Sequence, residues 1–521
     1  MSSRASKLIF ERSRAGGETA RYNGRYIHSR FDPIREARRF VEQLDQTNAR
    51  ILVFLGPGLG HAIAPLRERF PGASILGIFL HPETYAASSA ACDSAWHPES
   101  AQSLREFLAQ TVPEILIGQV SLVEWQPTLD AFAEKGPQVR AGVLNVLREL
   151  QASLFTTGAS GRLRFHNAVK NLGRVRAAAL SAKSNRLISA MIVVAAGPSL
   201  EESIPIIRRA RARVSIWATG SSVEALLAND LIPDVVVVTE PSVYASLHVR
   251  SLVAPGRALF EAPTLLVPLT VTNGVAESEQ SVFFAENDLP DRLLAAALPN
   301  LPVIPSRGTV TFTAIAAARS SGDYPVILAG ADFAHFHERS HVRPHLAHNY
   351  RLAIANRTSP GSGFIFERTR ANTCLDGGWT TDRTLTTYAN WLRSAGRASF
   401  EPLYQLSPSA VETGLPALSE REVAELPAHF AAPMIDRCDG GEPKRELAAT
   451  AIREAQEYAT QAAREAPPAL NTLANSRLGT LATHLAIQPL LRFTTSSAPA
   501  DWVDLCEVVS SELRRALEFL S

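Results

Sequence analysis

Two apolar patterns alternate along most of this chain. Short continuous runs of Val, Ile, Leu and Phe read as strands covered on both faces, and stretches with apolar residues every three or four positions read as amphipathic helices. Near the start, Asn23-Gly24-Arg25-Tyr26 predicts a turn between short strands. Asp32 then caps, and Pro33 opens, the helical pattern IREARRFVEQLDQ. ILVFLG (51–56) is followed by Pro57-Gly58-Leu59-Gly60, by the amphipathic HAIAPLRERF and by ASILGIFL (73–80). Strand, glycine turn, helix and strand make a βαβ unit and imply a parallel sheet. ILIG (115–118) and SLVEW (121–125) read as further strands of it.

From 137 to 184 the pattern is helical, and a second set of strands begins at MIVVAA (191–196). VSIWAT (214–219), DVVVVTE (234–240) and PVILAGAD (325–332) follow, with TLLVPL (264–269) and SVFFAE (281–286) as weaker members. Such runs, separated by helices or loops, predict a doubly wound parallel sheet. Residues 380–396 read as a helix, and 440–521 as mostly helical, broken at Pro467-Pro468 and at 496–501. The fold class is therefore α/β. A Rossmann-like N-terminal domain spans 1–136, a helical connector 137–185, a central doubly wound domain 186–420 and a C-terminal helical module 421–521, the last a packing or partner surface that can pair copies of the chain.

A length of 521 residues fits this division, since one domain holds about 100–200 residues. Fifty-two basic residues against 51 acidic ones leave a net charge of +1, which argues against a general nucleic-acid or anionic-membrane binder. Only five of the basic residues are lysines, so arginine carries almost all positive charge. The four cysteines form no CxxC pair and read as thiols of a reducing compartment. The N-terminal stretch shows no apolar signal core, and nowhere do 18 apolar residues run together. The expected location is the cytoplasm, without a membrane partner.

Candidate chemistry gathers where the central strands end. Gly197-Pro198-Ser199-Leu200 forms a strand-to-helix turn in which Gly197 lets a ligand approach the backbone, and the helix start offers amides to a phosphate. Ser199 and Glu202 also have capping-box spacing, which would satisfy that helix without a ligand. Thr219-Gly220-Ser221, Thr239-Glu240 and Asp332 end three other strands, and open α/β sheets bind ligands at that edge. Arg307-Gly308-Thr309 precedes an apolar helix and is a second phosphate cradle, or simply a helix cap. Five of the thirteen histidines, at 335, 337, 341, 345 and 348, follow Asp332. Pro344 interrupts any helical His341/His345 pair and no HExxH pattern is present, so a general base fits better than a metal, with His341 as first choice. The Gly56–Gly60 turn is similar to the glycine loop of Rossmann-like methyltransferases, with Glu83 placed as a ribose-binding acid, but no other methyltransferase signature is present and the domain is read as structural.

These residues together resemble the motility-associated-factor (Maf) flagellin glycosyltransferases, whose central domain is shared with MptE-like 6-hydroxymethylpterin diphosphokinases. The resemblance covers about residues 20–420. It rests on Gly24 to Ser29 with Asp32-Pro33 and Glu36-Ala37, on the Gly56–Gly60 turn, on Asn167 to Leu172 and on Gly197-Pro198-Ser199-Leu200. Leu231 to Asp234, Ser306 to Val310, Gly330-Ala331-Asp332-Phe333, and Thr380-Thr381-Asp382 with Tyr388 and Trp391 complete it. Two positions depart from the family pattern: Glu240 stands where Asp is usual, and Ala331 where Gln is usual.

The resemblance implies a sialyltransferase-like central domain that moves a nonulosonic sugar from a CMP-activated donor to Ser or Thr of flagellin, without a required metal. Gly197, Pro198, Ser199, Thr219, Gly220, Ser221 and Glu240 would then hold the nucleotide. Arg307, Gly308 and Thr309 would face its phosphate, and Asp332 and His341 would lie at the sugar and the acceptor. The alternatives are an MptE-like diphosphokinase using ATP and Mg, and a non-catalytic flagellin-binding assembly factor.

Overall fold

The structure is a computed structural model that describes residues 8–45, 49–175, 179–253, 263–298, 301–304, 308–337, 339–361, 372–393, 401–406, 409–427, 430–436 and 445–520. The chain divides into two compact units, one formed by 1–161 with 457–511 and the other by 162–456 with 512–521. Among the described residues no helix is long and apolar enough to cross a membrane.

In the first unit, β1 (Leu8–Arg12), β2 (Glu18–Tyr22) and β3 (Arg25–Tyr26) form an antiparallel sheet. Its last turn uses Asn23 and Gly24 at φ 47° and 80°, a region these two residues enter more readily than others. Asp32 caps the following helix as expected, accepting from Arg35 N at 3.0 Å. The parallel sheet has the order β6-β5-β4-β7, from β4 (Ile51–Leu55), β5 (Ser74–Ile78), β6 (Ser94–Trp96) and β7 (Val120–Glu124). All five residues of β4 are buried, as its unbroken apolar run requires. The expected strand at ILIG is instead a 3-10 helix, Glu114–Gln119. Its four apolar residues directly precede β7, which leaves no connection long enough for a second parallel strand.

The helix Gly136–Asn171 runs through 36 residues. Gly158 and Gly161 let its middle sit against the C-terminal helices: a Cβ on Gly161 would lie 2.6 Å from the carbonyl of His484, and one on Gly158 would meet Ile487. The predicted helical connector does not stay helical to its end: a 3-10 turn, Leu172–Arg174, follows the long helix. Residues 179–188 form β8 (Ala179–Ile188), which pairs antiparallel with β19 (Phe430–Asp436) inside the region expected to be a helical module. Ala, Ser and Lys in β8 favour helix by local propensity, so only the distant partner makes it a strand.

The second unit is built on a seven-stranded parallel sheet. Its members are β9 (Ala190–Val194), β10 (Val214–Thr219), β11 (Val235–Val237), β12 (Thr264–Pro268), β13 (Ser281–Phe284), β14 (Val326–Ala329) and β18 (Leu403–Gln405). The order is β13-β12-β11-β10-β9-β14-β18. The chain therefore winds outward from β9 to β13, then returns to the other side of β9. The switch point lies between β9 and β14, where such sheets open a crevice. All six expected strands are present. The helix Val310–Ser321 buries Phe312, Ile315 and Ala318 against Met191, Val193, Trp217 and Val237. Fully burying such an apolar side chain contributes about 1.5–3 kcal/mol.

Candidate functional site

At the switch point the turns after β9 and β14 press on each other. Gly197 N donates to Gly330 O at 2.7 Å, and a Cβ on Gly197 would fall 2.5 Å from that oxygen and against Asp332. Gly330 has φ +68°, and a Cβ there would lie 2.7 Å from Ala195 O. Gly197 is thus required by the backbone of Gly330, and Gly330 by the backbone of Ala195 and by its own positive φ. Asp332, 2% exposed, accepts from Ser199 N at 2.8 Å and from the Ser199 hydroxyl. The capping box expected at Ser199 and Glu202 does not form. Ser199 is the N-cap residue but makes no side-chain cap bond, because its hydroxyl turns to the carboxylate across the seam. Burial raises the Asp332 pKa against the Ser199 hydrogen bonds, which lower it, and Glu202 adds to the rise. The amide expected to meet a ligand phosphate is occupied by the chain's own carboxylate.

The next strand ends in a similar way. Thr219 and Ser222 hydroxyls donate to Val194 O at 3.2 and 3.1 Å, and Ser221 lies 3.3 Å from Thr219 Oγ1. Gly220 leaves room beside Val238 and His248, whose Cβ would be 3.5 Å from an added methyl. Glu240, exposed, accepts from Ser242 N at 3.1 Å. Thr309 caps the helix Val310–Ser321, accepting from Phe312 N at 3.3 Å, and Gly308 precedes it at φ +83°. Arg307 lies outside the described residues.

The five histidines after Asp332 separate. His335 opens β15 (His335–Phe336) of a small sheet with β16 (Thr373–Cys374) and β17 (Trp379–Thr381), its Nε2 3.5 Å from Asp382, and His337 follows that strand, its N donating to Gly378 O at 3.0 Å. His341 and His345 stack at 4.1 Å between ring centroids, only 10° from parallel. His248, from the helix Tyr244–Val253, lies 5.4 Å from His345. His348 is exposed in the first turn of the helix Leu346–Ile354, which His345 caps. The loop is fastened to the sheet edge by Val342 N donating to Ala196 O at 2.8 Å. Arg339 and Arg343 both bind Glu201 in the helix Leu200–Ala210, at 2.7 and 3.1 Å. Burial pushes the His345 imidazole down to about 4, and burial also lowers His248.

The structure therefore joins Gly197, Ser199 and Asp332 directly, and sets Thr219–Ser221 and His341 along the same edge. Sequence reasoning missed His248, which stands 93 positions before His341. It also missed the anchoring roles of Asn167 and Asn171. Asn167 donates to Pro241 O and Thr270 O, and Asn171 to Leu269 O and Val271 O, at 2.8–3.1 Å. One helix thus holds the loops after β11 and β12 through backbone carbonyls.

In the first unit the glycine turn after β4 is also internally satisfied. Leu59 N donates to His28 Nε2 at 2.8 Å, and a Cβ on Gly58 would collide with that imidazole. Glu83 is exposed in the first turn of the helix Pro82–Ser88.

Residues 165–338 match the family model for 6-hydroxymethylpterin diphosphokinase MptE-like. The chain carries an MptE-like domain. That domain contains β9 to β14 and the seam between them. Over nearly its whole length the chain is similar in fold to a solved MAf glycosyltransferase from Magnetospirillum magneticum AMB-1. The TM-score is 0.59 at 13% identity, covering 99% of this chain and 91% of that one. An uncharacterized protein of Treponema pallidum (strain Nichols) is 24% identical over 341 residues, 60% of this chain and 67% of the relative. The MptE-like domain thus sits within a Maf-like fold.

Proposed function

We propose that this protein is a glycosyltransferase that moves a nonulosonic sugar from a CMP-activated donor to Ser or Thr of flagellin in the cytoplasm. The observation that carries the reading is the placement of His341, His345 and His248 beside the Gly220 turn, at the carboxyl edge of the MptE-like sheet. The Maf-like fold supports it. His341 is the general base that takes the acceptor hydroxyl's proton as the sugar bond to the phosphate breaks. Thr219, Gly220, Ser221 and Glu240 flank the nucleotide, and Arg307, Gly308 and Thr309 face its phosphate. Asp332 acts by holding Ser199 and the Gly197-Pro198 turn in place.

A second reading, a diphosphokinase acting on a pterin with ATP and Mg, is favoured by the family match over 165–338. Titration with CMP, CTP and ATP separates the two. Preference for the cytidine nucleotides is expected, and tight ATP binding with pterin turnover would overturn the proposal. Intact mass of flagellin from a deletion strain tests the acceptor: loss of the sugar mass is expected, and an unchanged mass would leave a non-catalytic assembly role.

A further inference from the structure

Along the carboxyl edge of the central sheet, most polar groups already have partners within the chain. Asp332 serves Ser199, Val194 O serves Thr219 and Ser222, and Arg339 and Arg343 serve Glu201. His345 is different. It is 6% exposed, its Nδ1 accepts from His348 N at 3.3 Å, and its Nε2 has no hydrogen-bond partner among the described residues.

The accepting Nδ1 fixes the tautomer. A neutral ring with a lone pair at Nδ1 carries its proton at Nε2. Burial keeps this ring neutral in the ordinary pH range. His345 therefore presents a buried N–H donor, held in direction by its own helix and by the stacked His341 ring. An unmade bond of this kind costs about 1–3 kcal/mol in a folded protein. The nearby charges have opposite sign, Glu240 acting on His248 and Arg351 on His345. A ligand oxygen without charge suits both.

Building on the glycosyltransferase reading, we propose that His345 is a ligand-contacting residue whose Nε2–H donates to a hydroxyl oxygen of the donor's sugar. The histidine trio then has two tasks. His341 handles the acceptor proton, and His345 reads the sugar, its donor being satisfied only when a hydroxylated ligand is bound.

His345→Asn tests this, because Asn caps a helix at least as well as His while lacking the Nε2–H. His345→Ser, also a good cap, serves as the second variant, and a cooperative melting transition shows that each folds. Calorimetry would compare CMP with CMP-N-acetylneuraminic acid, and UDP with UDP-N-acetylglucosamine. In the pair that the wild type binds, the sugar nucleotide should weaken about 3- to 10-fold in both variants, with the bare nucleotide unchanged. Equal weakening of nucleotide and sugar nucleotide, or no weakening, would overturn the role of His345. Binding of the UDP pair in place of the CMP pair would overturn the CMP-donor reading while leaving His345 to be judged on the UDP pair. Binding of neither pair would overturn both.

Discussion

Asp332 holds Ser199 twice, through its backbone amide at 2.8 Å and through its hydroxyl, across 133 positions of sequence. This bond pair closes the seam between β9 and β14. Asp332→Asn keeps the shape but puts an amide NH2 against a donor, and should destabilise the fold by about 1–3 kcal/mol in urea unfolding. Ser199→Ala removes only the hydroxyl bond and should cost less. The double variant should cost less than the sum, since both changes touch one contact. Additive costs would mean that the two side chains do not act together. The raised Asp332 pKa sets the sign with pH: the folded protein takes up this proton before the unfolded chain does. Protonation of this one group therefore favours the fold as pH falls.

His341→Ala should cut transfer to the acceptor by about 10²–10⁴-fold, the usual contribution of a general base. Nucleotide affinity, measured by calorimetry, should stay within twofold. Full activity in the variant would remove His341 as the base.

Asn171 donates to Leu269 O and Val271 O and accepts from Asn273 at 2.8 Å. Asn171→Ala leaves two buried carbonyls and one amide without this partner. A loss of about 2–4 kcal/mol is expected, with faster amide exchange in the loop after β12. Asn171→Asp should be at least as damaging, because it sets a carboxylate against two carbonyl oxygens.

His28 makes the first unit sensitive to acid. Its Nε2 accepts from Leu59 N, which requires an unprotonated ring, and burial with a smaller push from His61 lowers its pKa from 6.5 to about 3. The unfolded chain protonates this histidine below 6.5 while the folded protein does not. Its contribution is complete above that pH and is lost as pH falls toward 3, by up to about 1.4 kcal/mol per pH unit. Unfolding of the protein at several pH values should show that slope, and His28→Gln, whose side-chain oxygen accepts without titrating, should flatten it. An unchanged slope would assign the acid sensitivity elsewhere.

The long apolar strands were readable because burial on both faces leaves a continuous Val/Ile/Leu signal, as in VSIWAT for β10. β18 was not, since its three residues, LYQ, are too short and mixed to stand out. β8 was hidden by its Ala/Ser-rich sequence, which suits a helix until β19 pairs with it. The site was readable in its parts more than in its bonds. Local spacing pointed Ser199 to Glu202, and only the fold brings Asp332 to it. His341 and His345 lie close in sequence, but His248 joins them only because its helix packs at the same edge. Thr309 caps its own helix, one of the two roles that its place before an apolar helix allowed.

Glu201 ties both Arg339 and Arg343 to the helix Leu200–Ala210. A loop held at two points by one carboxylate loses the freedom to reorient alone. The histidines between and beside those points inherit their alignment from the packing of a helix that starts on the other side of the seam. Helix and loop behave as a single mechanical part, so a sequence change on the buried face of that helix would be felt as a change in imidazole aim, at a distance from any ligand.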